Sequence, residues 1–443
     1  MPSADSTHHE NLAHDKPAGA DRRTFVTQAA VGTSLVAGFH TSLSAAPHSS
    51  ALNRLTCAVM GVNGRGSALA KGFSRQKDVV VTHVCDVDSR AIGKGKSAVK
   101  AVTGSEPVGL ADFRKALDDK SVDFLIVAAP NHWHGPASIL GMQAGKHVYV
   151  EKPCSHTPHE GELMVANAAK HKRVCTMGSQ RRSTNGYKEA IGKIHGGAIG
   201  NVLYARCWYA NRRGPIGNGK QASIPSWLDF EMWQGPCTDK PFKDNLVHYN
   251  WHWHWHWGNG ELGNNGVHAI DVARWGMQVD FPTRVVSAGG RYRFEDDQET
   301  ADTHLTSFEF DKKLLVWEGL SWSPKGTEKT GFGVSFHGDK GTMILLDKKW
   351  EIYDIRNKLV EEKTHSLNDD PHFDDFLGCI RNGGKPNADI TEAHKSTLLC
   401  HLGNIAHRSG KNLETDPTNG HIKNRDLAKQ WSKEYRKGWE PTV

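Results

Sequence analysis

Three clusters in this 443-residue chain combine residue types and spacings that can do chemistry. The first is Gly61-Val62-Asn63-Gly64-Arg65-Gly66, directly after the apolar run Leu55–Met60. A glycine turn between a buried strand and a helix offers backbone N–H groups and the positive helix end to a phosphate. The dinucleotide fingerprint wants glycine at the first, third and sixth positions. Here Gly61 and Gly66 hold the outer two, Asn63 stands at the third, and Gly64 follows. Asparagine tolerates left-handed backbone and Gly64 permits close approach, so the turn can still cradle a pyrophosphate. Asp86 ends the next apolar run, 20 residues beyond Gly66, where an acid grips the ribose hydroxyls of NAD. Its alternative role is a helix N-cap. Asp86 repels a 2′-phosphate and favours NAD over NADP, although Arg90 could accommodate one.

The second cluster is a pair of strand ends. Pro130-Asn131, with His132 and His134 after it, and Glu151-Lys152-Pro153 would emerge at the C-terminal edge of a parallel sheet, where ligands bind. A lysine in that position, locked by proline, points its ammonium into the cofactor cleft, and His132 neighbours the reacting ring. The bland alternative for Lys152 is a solvent-facing turn residue.

The third is Trp251-His252-Trp253-His254-Trp255-His256-Trp257. If extended, it carries tryptophans on one face and histidines on the other. Flat aromatic faces suit the C–H-rich faces of sugars, so Trp251, His252, Trp253 and Trp255 are candidates for a substrate loop; packing or an oligomer contact is the alternative. Alternating histidines on one strand rarely converge tetrahedrally, so no metal site is expected. Arg181, beside Gln180 and Arg182, is a candidate for binding hydroxyls or an anionic group, with a surface ion pair as the alternative.

Elements must hold these groups in place. Leu55–Gly61, Val79–Cys85, Asp123–Ala129 and His147–Val150 read as buried strands, with helices over Ser67–Arg75, Ser89–Val102, Phe113–Leu117 and Pro136–Ala144. Alternating βα units predict a parallel sheet covered on both faces. From Val202 to Ile355 seven segments alternate apolar and polar residues in strand fashion, interrupted by a helix over His268–Trp275. Pro371–Arg381 and Ile390–Ser409 read as closing helices.

Composition narrows the function class. With 55 Lys and Arg against 49 Asp and Glu, the excess of +6 is too thin for a nucleic-acid binder. No apolar run approaches the roughly 18 residues of a spanning helix. Eight cysteines show no CxxC pair, and mostly free, buried thiols are expected. Residues 1–50 read as a leader: Arg22-Arg23 before Phe25, a weakly apolar stretch, then Ser44-Ala45-Ala46, in the order of a twin-arginine export signal. The remainder divides into a dinucleotide-binding domain over 51–178 and a substrate-binding and oligomerisation domain over 179–443.

Together with Gly178-Ser179-Gln180-Arg181, Gly263-Asn264-Asn265-Gly266-Val267-His268-Ala269-Ile270-Asp271, and the segments His372–Phe376 and His401–Arg408, these motifs resemble the glucose–fructose oxidoreductase and inositol dehydrogenase family, Gfo/Idh/MocA. The resemblance runs from about Leu55 to Asp416. It implies a Rossmann domain followed by an α/β domain with a large open, mainly antiparallel sheet, assembled as a homodimer or homotetramer. It implies that Gly61, Asn63, Gly64, Arg65, Gly66, Asp86, Arg90, Pro130, Asn131, His134, Glu151, Lys152 and Gln180 surround NAD or NADP.

Lys152 corresponds to the family's active-site lysine and His268 to its general base. An aspartate often stands where this chain has Asn264; an amide can hold the histidine ring but lacks the carboxylate's charge. Asp271 either orients substrate or pairs with an arginine such as Arg274. The implied activity is that of an exported oxidoreductase moving a hydride to or from a sugar or cyclitol hydroxyl with a tightly held cofactor. A redox-neutral glycosidase using the same cofactor is the alternative, although Gly258–Gly263 lacks the glycine- and histidine-rich GGHGG segment of the NAD-dependent α-N-acetylgalactosaminidases. A non-catalytic dinucleotide sensor ranks third.

Overall fold

The computed structural model describes residues 54–443, so the twin-arginine leader lies outside the described residues. The first half alternates β1 (Leu55–Met60), α1 (Arg65–Ser74), β2 (Val79–Cys85), α2 (Ser89–Thr103), β3 (Val108–Leu110), α3 (Arg114–Asp118), β4 (Phe124–Val127), α4 (Asn131–Gln143), β5 (His147–Val150), α5 (Pro158–His171) and β6 (Cys175–Met177). The six strands form a parallel sheet in the order β3-β2-β1-β4-β5-β6. β4 is buried at every position, because helices cover both faces of a doubly wound sheet. The chain winds outward in opposite directions from β1 and β4, which opens a crevice at their C-terminal ends.

After α6 (Asn185–His195) the second half continues through β7 (Val202–Ala210), α7 (Phe230–Gln234), α8 (Val267–Met277), β8 (Arg284–Gly290), β9 (Thr303–Phe310), β10 (Lys313–Leu320), β11 (Phe332–Gly338), β12 (Gly341–Leu346), β13 (Lys349–Asp354), β14 (Leu359–Thr364), α9 (Asp370–Asn382), α10 (Ile390–Ser409) and β15 (Leu413–Glu414). Nine strands form one sheet, β14-β13-β12-β11-β7-β10-β9-β8-β15, antiparallel except where β7 meets β10. α8 packs on it with all but two of its positions buried.

The halves interlock. Phe373 and Phe376 of α9 return to the first half and pack against Phe73, Phe124 and Tyr149. Each such ring contributes on the order of 1.5–3 kcal/mol by leaving water. The core around these rings is therefore shared by residues from both sides of position 178.

Two elements escape apolar periodicity. α5 buries Gly161 and Asn167 beside Met164, so few large apolar residues mark its face. β14 is exposed throughout, an edge strand protected by charge. α4 also begins earlier than its proline suggests: it starts at Asn131 and Pro136 lies inside it, which brings Asn131, His132 and His134 into the helix.

Candidate active site

A cavity of about 600 Å³ opens at the crevice where β1 and β4 end. At its base Gly61 adopts φ +84°, and a Cβ there would stand 2.6 Å from the Ala129 nitrogen. A Cβ on Gly66 would stand 1.8 Å from the Gly61 carbonyl oxygen, so both outer glycines are sterically required. Gly64 differs: a Cβ on it would meet no atom within 4 Å. It lines the cavity as the N-cap of α1, and no side chain caps that helix. A bare helix start facing open space has the shape and the donors that a pyrophosphate requires. Asn63 also lines the cavity, its Oδ1 accepting from Lys94 Nζ at 2.7 Å.

Asp86 stands beside this turn. Its Oδ2 accepts from the Val62 N–H at 2.7 Å and its Oδ1 from the Asp88 N–H at 3.0 Å, while burial pushes its pKa up. The N-cap of α2 is Asp88, so Asp86 is left to face the cavity. Arg90 does not line it. Its guanidinium is held by Asp88 at 2.8 Å and lies 3.4 Å over the Trp227 ring. The placement of Arg90 near a ribose phosphate is therefore corrected: Asp88 and Trp227 hold it elsewhere.

Arg65, Glu151 and Gln180 form the next wall. Arg65 Nε donates to Glu151 at 2.7 Å and its Nη1 to Asp369 at 2.7 Å. Burial would raise the Glu151 pKa, but the charges of Arg65 and Lys152 outweigh it and hold the carboxylate ionised. Gln180, oriented to donate to the Gly178 carbonyl, accepts from Arg65. Pro130 and Asn131 line the opposite side, where Asn131 Nδ2 donates to Asn259 Oδ1 at 3.0 Å. His134 lies between two carbonyls, Nδ1 2.6 Å from Pro153 O and Nε2 2.7 Å from Ala129 O, and so braces the strand end that carries Lys152. His132 is turned away, its Nε2 2.8 Å from the Trp233 carbonyl.

Lys152 and His268 share this cavity. Residues Leu262–Gly266 form a π-helical turn directly before α8. Wide turns of this kind release backbone groups from helical pairing. Lys152 Nζ donates to the Asn264 carbonyl at 2.9 Å and to Asn264 Oδ1 at 2.7 Å. Two of three ammonium donors are thereby used, leaving one for a bound oxygen. Burial lowers the Lys152 pKa, opposed by Glu151 and Glu261. Asn264 Nδ2 in turn donates to Glu261 at 3.4 Å, and Glu261 pairs with Arg213 at 2.7 Å. The amide thus holds the lysine, not the histidine ring. His268 Nδ1 is buried without a protein partner. Desolvation, followed by the charges of Arg181 and Lys152, holds its pKa well below 6.5, so the ring is neutral and able to accept a proton.

Three further placements correct the sequence reading. Asp271 is buried away from the cavity, gripped by Arg182 at 2.9 Å and by Ser179 and Ser396, so it does not meet substrate; its arginine is Arg182, and Arg274 pairs with Asp280 and Glu392. Arg181 is committed to Asp347 at 2.6 Å and to the face of Phe332. The Trp–His segment is not extended. Asn250–Trp253 form a 3-10 turn, and Trp251, Trp253 and Trp257 are buried. Only Trp251 and His252 of this segment reach the cavity. His252 Nδ1 lies 2.6 Å from Tyr249 O, His256 Nε2 lies 2.8 Å from Thr238 O, and His254 pairs with Glu299, so the three rings diverge.

Trp233, His248, Tyr249 and Asp369 also line the cavity and had no sequence signal, since each arrives from a segment remote in the chain. All eight cysteines are free and seven are buried.

Fold and site define a dinucleotide-dependent oxidoreductase architecture. Residues 55–179 match the family model described as "Oxidoreductase family, NAD-binding Rossmann fold", and residues 208–440 match "Oxidoreductase family, C-terminal alpha/beta domain". The chain belongs to the Gfo/Idh/MocA oxidoreductase family. Among curated relatives, a glycosyl hydrolase family 109 protein of Saccharopolyspora erythraea is 32% identical over 150 residues, 33% of each chain. Levoglucosan dehydrogenase of Pseudarthrobacter phenanthrenivorans is 29% identical over 171 residues, 37% of this chain and 35% of that one. The alignment spans about a third of the length of these relatives. A solved levoglucosan dehydrogenase in complex with NADH and levoglucosan superimposes with a TM-score of 0.64 at 17% identity, covering 82% of this chain and 99% of that one. An oxidoreductase domain protein from Kribbella flavida gives 0.64, 17%, 82% and 99% respectively.

Proposed function

We propose that this enzyme oxidises or reduces a hydroxyl-bearing carbon of a sugar or cyclitol with NAD held between turnovers. The observation that carries this reading is the shared cavity in which Lys152 and His268 face the floor formed by the glycine turn and Asp86. When bound, NAD supplies a hydride acceptor or donor. The remaining N–H of Lys152 contacts the substrate oxygen and stabilises developing negative charge in a site that excludes water. Neutral His268 accepts the hydroxyl proton during oxidation and returns it during reduction. Asp86 lines the cavity beside the glycine turn, and a carboxylate there would repel a 2′-phosphate, which favours NAD.

Tight retention is supported by a crosspiece from the second half. His248 Nε2 lies 2.7 Å from Asp88, Trp227 packs under Arg90, and the Trp227 carbonyl accepts from the Ser89 N–H at 3.0 Å. This segment is thereby fixed to the start of α2 and brings His248 and Tyr249 into the cavity lining. Retention also fits the export proposed from Arg22-Arg23, since nicotinamide pools are not maintained outside the cytoplasm. Assembly through the open sheet is supported by exposed Leu203 and Leu305 on its strands. Asn264 in place of an aspartate favours a second reading, redox-neutral glycoside cleavage through transient oxidation, and the family 109 relative points the same way.

The test is to purify the protein without added cofactor, denature it, and quantify the released nucleotide by mass spectrometry. Near-stoichiometric NAD, with turnover of sugar pairs or glycosides in the absence of added nicotinamide, is the expected result. An empty protein that binds neither NAD nor NADP on titration overturns both readings.

A further inference from the structure

A second cavity, of about 960 Å³, lies on the other side of the Trp–His segment. It contains neither Lys152, His268 nor the glycine turn. The wall between the cavities includes the Asn131–Asn259 hydrogen bond and the His132 N–H donating to the Trp257 carbonyl at 3.2 Å. The start of α5, the end of α10, the loop around Lys240 and the C-terminal segment 429–434 complete its lining.

We propose that this cleft is a second ligand site and that it takes an acidic carbohydrate, a glycan segment bearing a uronate or sulfate ester. Three observations converge. His254 and Trp257 in its wall are 7% and 6% exposed, yet His254 Nε2, Trp257 Nε1 and the neighbouring Gln430 Oε1 are buried without a protein partner. Buried polar atoms left unpaired are destabilising and are rare without a functional reason.

The charge balance of the lining selects an anion. Asp297 is taken by Lys243 at 3.0 Å; Glu299 accepts from the Trp255 N–H at 2.7 Å and pairs with His254. Among the described residues Arg408, Lys240 and Lys429 form no ion pair, against one such carboxylate in the lining, Glu434, so the uncompensated charge of the cleft is mainly positive.

The third observation is aromatic. Trp255 is half-buried in the wall with the Arg408 guanidinium 5.1 Å from its ring centroid, which sets an apolar face beside a cation. That pairing fits the C–H face and the acid group of one charged sugar better than it fits a flexible acidic peptide.

Titration calorimetry on the full chain would use trigalacturonate, a sulfated galactotriose, maltotriose, triglutamate and sodium sulfate as probes. One of the two acidic trisaccharides should bind one per chain, about tenfold or more tighter than maltotriose, the effect of a single charge-assisted contact. R408A and W255A should each weaken it by about tenfold, within the range of aromatic and cation contacts. R408K should recover part of the loss, and thermal unfolding should report all three variants folded. H268A, in the other cavity, should bind unchanged. Equal affinity for maltotriose, triglutamate or sulfate alone, or affinity that survives both R408A and W255A, would overturn the proposal. Because the readout is heat of binding and needs no turnover, that failure would leave the oxidoreductase reading intact.

Discussion

Lys152 Nζ meets both oxygens of Asn264, the carbonyl at 2.9 Å and the side-chain amide at 2.7 Å. A buried ammonium is thus solvated by dipoles where a carboxylate would have neutralised it. The consequence is a more acidic lysine and a more positive pocket, one that attracts electron density on a substrate oxygen.

N264D restores a negative charge at that contact and must raise the Lys152 pKa. If the protonated ammonium is the active form, the alkaline limb of kcat/KM moves to higher pH in N264D. A superimposable pH profile would separate Lys152 ionisation from the rate.

His268 titrates at the opposite end. Its pKa lies below 6.5, and the neutral ring is the form that accepts a proton. Oxidation should therefore persist under mildly acidic conditions that would silence an ordinary histidine base. H268A should lower kcat by about 10²–10⁴ while retaining nucleotide. Single-turnover reduction of bound NAD, followed at 340 nm, measures this (the wavelength is roughly the band of reduced nicotinamide).

K152M removes the positive charge while keeping the stem. A loss of roughly 10²–10³ in kcat is expected from deletion of one electrostatic contact to the transition state. Unchanged kcat with only KM raised would reduce Lys152 to a substrate-binding residue.

The crosspiece predicts a change in retention rather than chemistry. W227A removes the ring under Arg90 and loosens this contact, so a several-fold rise in nucleotide dissociation is expected. Nucleotide content after extended dialysis reads it out, with wild-type protein expected to keep its load.

D271N tests a structural assignment. Breaking one partner of a buried ion pair costs about 3–5 kcal/mol, so denaturant stability should fall while nucleotide affinity holds. Arg182 and Ser396 hold the folded Asp271 pKa below 3.8 despite burial. That contribution is therefore complete above the unfolded carboxylate pKa and lost as pH falls through the folded one. The stability gap between wild type and D271N should close in acid.

The dinucleotide half was legible because its signals are local. Within a single turn Gly61 is demanded by its positive φ and Gly66 by collision with the Gly61 carbonyl, and Asp86, Glu151 and Lys152 sit at strand ends whose position follows from βα alternation. His268 was found through its motif, and the carbonyl that Asn264 offers to Lys152 depends on a π-helical turn that residue types alone do not announce.

The Trp–His segment misled for a definable reason. Alternation implies a strand only when the backbone is extended, and here buried Trp251, Trp253 and Trp257 packed against other elements curl the chain instead. Asp271 shows the same limit: its motif position suggested substrate or an arginine such as Arg274, but Arg182 and Ser396 of helix α10 reach it first in space. Sequence by itself determined the strand ends and the glycine turn, because neighbouring residues and steric rules are enough to place them. Which arginine neutralises a buried acid, which rings face a cavity, and where a C-terminal segment closes a cleft were decided by tertiary packing, because those contacts join residues far apart in the chain.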